Sequence, residues 1–225
     1  MKIINLECVS STNDYIRALD AENAAVFAKR QSGGRGTKGR AFLSEEGGIY
    51  LSTLRSFENF PAGDAFKIMI NCSVAVCKTL QDFGLTPRIK WANDILIGDK
   101  KICGTLIENT ISGGKITRSI VGIGLNVNNP LDNEIKDIAT SMSLELHKKL
   151  DIEEVKSRLL SHLEGQYSIE EYKKYIDWLG SEIVILCGET KSRVTALDIC
   201  ENGSLKVNWG GNMLEITAGE VSLRL

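Results

Sequence analysis

The residues best suited to chemistry fall in four short segments. Gln31-Ser-Gly-Gly-Arg-Gly-Thr-Lys-Gly-Arg40 sets three cations, Arg35, Lys38 and Arg40, among glycines that expose backbone N–H groups. That mixture suits an anion such as a phosphate or a carboxylate. It is no P-loop, because no G-x-x-x-x-G-K-[ST] aligns. Acidic residues and a strand follow it, rather than the helix a dinucleotide fold requires. Alone it reads equally as a flexible basic surface loop. Lys90-Trp-Ala-Asn-Asp94 gathers a cation, an aromatic face and an Asn-Asp pair just before a strand, and Asp94 could hold a magnesium ion or a nucleotide group. Lys101 then opens an apolar strand, where a point charge can neutralise two meeting oxyanions. By itself the I-G-D-K-K stretch reads better as a solvated hairpin turn. Gly122 and Gly124 sit inside a strand, which costs stability unless something approaches the backbone closely. Asn126 offers donor and acceptor groups that suit a purine edge.

Composition narrows what these segments can serve. The chain has 225 residues, 27 Lys plus Arg against 29 Asp plus Glu, and is nearly neutral, which is not the charge pattern of a general nucleic-acid binder. Residues 1–20 carry Glu7, Asp14 and Arg17, so no signal-peptide core is present, and no apolar run reaches membrane-spanning length. A cytoplasmic protein with no membrane partner is the expectation. The six cysteines (Cys8, Cys72, Cys77, Cys103, Cys187, Cys200) contain no C-x-x-C pair. They are expected to be reduced core thiols, with neither a structural zinc nor a redox cofactor. His147 and His162 read as surface residues, and no G-x-S-x-G nucleophile motif exists. Chemistry therefore falls to Lys, Arg, Asp and backbone amides.

These segments need elements to hold them. Residues 2–6, 24–28 and 49–54 read as strands, and Ser10 to Asn13 offer capping side chains to a short helix. Residues 65–83 are apolar on most faces and read as a buried helix. Residues 88–91, 95–97, 101–110 and 116–127 read as strands, the last two a hairpin about Ser112-Gly113-Gly114. Residues 151–176 read as one helix, begun by a capping-box-like Asp151 and Glu154 and closed by Gly180. Beyond it, short strand candidates at 182–186, 193–199, 205–209, 213–217 and 220–224 have the spacing of a small β-barrel. The expected division is 1–179 and 180–225.

In conjunction the motifs resemble the biotin–protein ligases, over nearly the whole chain. Ser11-Thr12-Asn13 looks like the family's S-T-N, Gly34 to Arg40 like its G-R-G-x-x-G-R loop with Gln31 before it, and Lys90 to Asp94 like K-W-P-N-D. Lys101 with Gly104 resembles K-x-x-G, Gly122 to Asn126 resembles G-x-G-x-N, and Gly219 to Arg224 is similar to the end of the family's terminal barrel. The resemblance implies an α+β fold: a mixed, largely antiparallel sheet flanked by helices, plus a small SH3-like β-barrel. It implies a catalytic domain that makes biotinyl-adenylate from biotin and ATP with Mg2+, then passes biotin to a lysine of a biotin carboxyl carrier protein. Ser11, Thr12, Asn13, Gln31, Arg35, Gly36, Thr37, Lys101 and Gly104 would surround biotin. Gly34, Arg35, Lys38, Arg40, Trp91, Asn93, Asn126 and Arg224 would serve ATP and the adenylate. Lys101, Arg35, Lys90 and Asp94 would carry the reaction, Asp94 beside the metal.

Departures from the pattern matter as well. Thr37 stands where well-studied members carry a second arginine, which predicts weaker retention of the adenylate. Ala92 replaces a Pro and Phe42 a Trp. The chain is expected to be a short form without an N-terminal DNA-binding domain and to bind no DNA; a homodimer is compatible with the resemblance. The rival expectations are a lipoate or octanoate ligase or transferase of the same superfamily, and a non-catalytic biotin sensor.

Overall fold

The computed structural model describes residues 2–187, 190–217 and 222–224, the side chains of Lys38, Cys187 and 222–224 excepted. Seven strands form one sheet: β1 (Lys2–Val9), β2 (Asn23–Gln31), β3 (Ile49–Pro61), β4 (Pro87–Lys90), β5 (Asp94–Ile97), β6 (Lys100–Ser112) and β7 (Lys115–Leu125). Their order is β1-β2-β3-β7-β6-β5-β4, with β1 and β2 parallel and every other neighbouring pair antiparallel. This is the mixed, largely antiparallel sheet the sequence leads one to expect. Gly113 and Gly114, at φ of 57° and 75°, make the tight turn of the β6–β7 hairpin, a left-handed pair suited to glycine.

Side chains alternate across β7, and the alternation assigns the two faces. Val121, Ile123 and Leu125 join Ala25, Phe27, Ile49 and Leu51 in the main core. Covering that face is α2 (Ala65–Asp82), whose Ile70, Val74, Val76, Cys77 and Leu80 are buried. After the short α3 (Met142–Leu146), helices α4 (Ile152–Leu163) and α5 (Ile169–Lys173) pack on α2 and contribute Val155, Leu159, Ile169 and Tyr172 to the same core. The opposite face carries the short α1 (Thr12–Arg17) and a small cluster of Ile16, Ala24, Val26, Leu54 and Ile120 at one end.

The expected single helix over 151–176 is two. Gly165 lies between them, and a Cβ there would meet the Tyr167 hydroxyl at 2.5 Å, so the chain turns where a side chain has no room. Asp151 accepts a hydrogen bond from the Glu153 N–H; the true capping box is Ser168 with Glu171, at the start of α5. Gly180, at φ 84°, closes no helix but sits in the turn before the next strand.

The C-terminal residues form a five-stranded antiparallel sheet in the order β11-β10-β9-β8-β12, from β8 (Glu182–Cys187), β9 (Thr190–Ile199), β10 (Leu205–Trp209), β11 (Asn212–Ile216) and β12 (Ser222–Arg224). Its Ile183, Ile185, Val194, Ala196 and Val207 belong to the same continuous core as the large sheet. Lys173 of α5 bridges to Asp198 of β9 at 2.8 Å. Cys72, Cys77 and Cys103 are buried as expected, whereas Cys8 is exposed and Cys200 half-buried. His147 is exposed; His162 is half-buried and 2.8 Å from Asp82. No described helix is long and apolar enough to cross a membrane.

Candidate active site

On the α1 face the large sheet has a floor of glycines. Gly104 of β6 pairs directly with Gly124 of β7, and Gly122 lies two residues along, between Ser52 of β3 and Leu106. Each glycine is required by what sits above it. A Cβ on Gly122 would lie 2.4 Å from Asn13 Oδ1, one on Gly124 2.4 Å from the Phe42 ring, and one on Gly104 2.8 Å from Lys101 Nζ. The strand forfeits side-chain packing here and gains depth for a ligand.

One wall of the resulting cavity is the start of α1. Ser11 caps the helix by accepting from the Asp14 N–H, which turns Thr12 and Asn13 down onto the sheet. Both are buried and hydrogen-bonded. Thr12 donates through its N–H (2.8 Å) and its hydroxyl (3.0 Å) to Gln31 Oε1, and Gln31 Nε2 donates to Ser44 Oγ. Ser52 Oγ lies 2.8 Å from Thr12 Oγ1 and 2.5 Å from Asn13 Oδ1, while Asn13 Nδ2 donates to Glu108. The network fixes the rotamers of every polar group in this wall.

The other wall is the basic glycine loop, an ordered strap rather than a loose loop. Residues 31 and 44, and 35 and 41, form antiparallel bridges, and a single 3-10 turn, Thr37–Gly39, makes its tip. Gly34 is buried where a Cβ would lie 2.4 Å from the Phe42 carbonyl. Arg35 reaches out to Asp14 at 2.5 Å, and Asp14 also holds Arg17. Together the walls and floor frame one narrow, open pocket. All nine residues expected around biotin (Ser11, Thr12, Asn13, Gln31, Arg35, Gly36, Thr37, Lys101 and Gly104) line it, as does Asn93.

Lys101 stands at the far end. Its Nζ is 2.7 Å from Asp94 Oδ1 and 5.7 Å from the centre of the Phe42 ring. Its main chain is pinned on both sides, the N–H donating to Ile138 O and the carbonyl accepting from Thr140 N–H. Lys101 and Phe42 also border a second cavity of about 240 Å³, walled by Pro130, Leu131, Ile135, Ile138 and Ala139. Two adjoining hollows thus share one ammonium group. The 130–139 wall escaped the sequence reading, because it belongs to no regular element and has no periodicity; its one local signal is the Asn128-Asn129-Pro130 turn after β7.

The expected adenylate residues divide. Asn93 and Arg35 line the first hollow and Asn126 borders the second. Asn126, however, is buried with its amide engaged inside the protein: Nδ2 donates to Thr140 O and Oδ1 accepts from Asn129. Through these bonds it braces the second wall. Trp91 is likewise a core residue, buried with Nε1 donating to Gly203 O of the C-terminal sheet, and it lines neither hollow. Lys90 lies opposite Asp94 in the β4–β5 ladder. Arg40 is exposed beside the tip of the strap. The Lys38 and Arg224 side chains lie outside the described residues.

A magnesium ion is the one metal the motifs suggest. No cluster of three or more metal-ligating side chains exists among the described residues. The lone Asp94 carboxylate beside Lys101 fits an ion carried on substrate phosphates, not one caged by protein.

The sequence pattern of the biotin/lipoate A/B protein ligase family matches residues 6–126. The bifunctional ligase/repressor BirA of Bacillus subtilis is 34% identical over 174 residues, covering 73% of this chain and 53% of its own, so the chain spans about half the length of that relative. BirA of Escherichia coli is 25% identical over 97% of the chain and 73% of its own length. Among solved structures, the biotin protein ligase from Aquifex aeolicus in complex with biotin and ATP superposes with a TM-score of 0.83 at 30% identity, covering 99% of this chain and 98% of that one. The Leishmania major biotin protein ligase in complex with biotinyl-5-AMP gives 0.65 at 25% identity, covering 96% and 99%. With more than half of its length matched by the family pattern and the fold shared end to end, the chain belongs to the biotin/lipoate A/B protein ligase family.

Proposed function

We propose that this chain activates biotin with ATP to biotinyl-5'-adenylate and transfers biotin to a lysine of a biotin carboxyl carrier protein. The observation that carries this reading is the convergence of the nine expected biotin residues on one glycine-floored cavity that meets a second hollow at Lys101. In the proposed arrangement the ureido ring lies among Thr12, Asn13 and Gln31, whose amides and hydroxyls match its donors and acceptors. The valeryl carboxylate points to Lys101 and the nucleotide occupies the second hollow.

A carboxylate and a polyphosphate repel one another, and Lys101 lowers that barrier by standing between them. A carboxylate oxygen attacks the α-phosphorus and pyrophosphate leaves; the lysine amine of the carrier then attacks the acyl carbon and AMP leaves. Positioning and charge neutralisation suffice, so no covalent enzyme intermediate is needed. Asp94 would lend a carboxylate to a Mg2+ ion carried on the phosphates, which would neutralise part of their charge. Arg35 and the strap of 31–44 cover the acyl-adenylate and keep water from the mixed anhydride. Residues 1–179 supply this machinery, and 180–225 brace it through the Trp91–Gly203 contact.

Biotin-dependent exchange of labelled pyrophosphate into ATP, run beside lipoate and octanoate, tests the reading. Exchange with biotin alone is expected. Exchange with lipoate or octanoate alone assigns the chain to the other branch of its family, and biotin binding without exchange makes it a sensor.

A further inference from the structure

The polar network in the α1 wall is anchored by a residue outside the cavity. Gly104, Leu106 and Glu108 alternate onto the same face of β6. The first two line the cavity, and Glu108 stands beyond them in an adjoining cleft with Arg17, Arg35 and Arg118. Its two carboxylate oxygens are divided between two partners. Oε1 takes Arg17 of α1 at 2.6 Å, and Oε2 accepts from Asn13 Nδ2 at 2.7 Å.

That division fixes which end of the Asn13 amide meets a ligand. An amide has a donor end and an acceptor end, while an ionised carboxylate only accepts, so the Nδ2 end faces Glu108. A reversed amide would set two acceptors against each other at a side chain that is buried. Asn13 Oδ1 is thereby left over the floor, where a Cβ on Gly122 would lie 2.4 Å from it. Ser52 Oγ engages one of its lone pairs at 2.5 Å, and a carbonyl oxygen has a second to offer a donor in the cavity.

We propose that Glu108 is a positioning residue for substrate recognition: it turns Asn13 so that the cavity reads an N–H donor. A cyclic urea supplies that donor, whereas the dithiolane of lipoate and the bare chain of octanoate have none. The inference rests on biotin being the substrate and names what selects it. Arg17 holds the carboxylate in place, and because a guanidinium only donates it would claim the oxygen of any amide placed at 108.

Glu108→Gln tests this with an isosteric side chain at a partly exposed position. Arg17 is expected to draw the new Gln Oε1, turning its Nε2 on Asn13 and reversing that amide. Biotin affinity in calorimetric titration should fall about 10- to 100-fold, the scale of a buried donor set against another donor. In pyrophosphate exchange the biotin KM should rise, with kcat and the ATP KM unchanged. Adding Arg17→Met frees the Gln oxygen for Asn13 and should recover part of the loss, whereas a merely structural role would lose more with each partner removed. In an Asn13→Ala background, with no amide to orient, Glu108→Gln should cost nothing further. Melting curves check that each variant is folded. Should Glu108→Gln not fold, Glu108→Asp, too short to hold both partners, replaces it with the same KM shift expected. Biotin binding equal to wild type in the folded variant at 108, or no recovery on adding Arg17→Met to Glu108→Gln, overturns the role of Glu108. A wild type that binds lipoate and not biotin overturns instead the biotin activity on which that role rests.

Discussion

The two faces of the seven-stranded sheet are built by the same strands to opposite specifications. On the α2 face Ile49, Leu51, Ile123 and Leu125 are buried against helices in one continuous core. On the α1 face their immediate neighbours are Tyr50, Ser52, Gly122 and Gly124, and the packing partners are buried polar side chains. The first face draws its stability from area removed from water. The second gives up that area for a cavity and holds its shape with hydrogen bonds. Because side chains alternate with period two, a slip of one residue in β7 would send Val121 and Ile123 into the cavity and the glycines into the core. One strand therefore encodes a packed core and a cavity floor in alternate residues.

If that division is right, substitutions on the two faces should separate activity from stability. The largest effect is expected at Lys101: Lys101→Met should lower biotin-dependent pyrophosphate exchange about 10²–10³-fold, as removal of a preorganised charge-stabilising donor does elsewhere. Its unfolding midpoint should stay near that of wild type, because the Asp94 pair is partly solvent-exposed. Next comes Leu51→Ala on the dry face. It should cost about 2–5 kcal/mol in denaturant unfolding, with exchange per folded molecule unchanged.

Smaller still is the strap. Thr37→Arg adds a cation at the tip of the loop over the cavity, and should slow release of preformed adenylate roughly tenfold, the equivalent of one charge-assisted hydrogen bond. Release equally fast in both proteins would show that residue 37 does not hold the adenylate.

The smallest effect belongs to the clamp between α5 and β9. Burial pushes the Asp198 carboxyl up, but hydrogen bonds from Lys173 and the Ile199 N–H, with the charges of Lys173 and Lys206, outweigh it and hold it below its ordinary range. Burial likewise lowers Lys173, and Asp198 and Glu170 more than reverse that. Asp198 therefore contributes stability above its unfolded value of about 3.9 and loses it as pH falls through the lowered folded value. Lys173 contributes fully below about 10.4 and loses its share as pH rises beyond its raised value. Asp198→Asn should cost less than about 1 kcal/mol at neutral pH, since the carboxylate is half exposed, and the deficit should vanish in acid.

The glycine-floored cavity was legible in the sequence because its demands are local. Glycines inside a strand, a capping Ser-Thr-Asn and a lysine opening an apolar strand each need a reason, and the register supplies it: Gly104 opposite Gly124, with Lys101 above. Trp91 misled because residue type alone, an aromatic between a lysine and an Asn-Asp pair, looks like a ligand contact. Its true partner, the Gly203 carbonyl, lies 112 residues away in another sheet. The bonds of the Asn126 amide to Thr140 and Asn129 were equally hidden, since they form only after a loop closes that no local pattern announces. Alternation and turns marked the strands and the family resemblance implied the fold class, while the helix break at Gly165 depended on where the Tyr167 hydroxyl lies.

Neighbouring residues of β7 offer the most direct test. Calorimetric titration of biotin, paired with denaturant unfolding, should be run on Gly122→Ala and Leu125→Ala. The methyl group that Gly122→Ala adds would fall 2.4 Å from Asn13 Oδ1, so biotin affinity should drop by roughly 100-fold or more with little loss of stability. Leu125→Ala should cost about 2–5 kcal/mol of stability and bind biotin as wild type does. Undiminished biotin binding by Gly122→Ala would contradict the account, because the glycine floor would then not be where biotin lies.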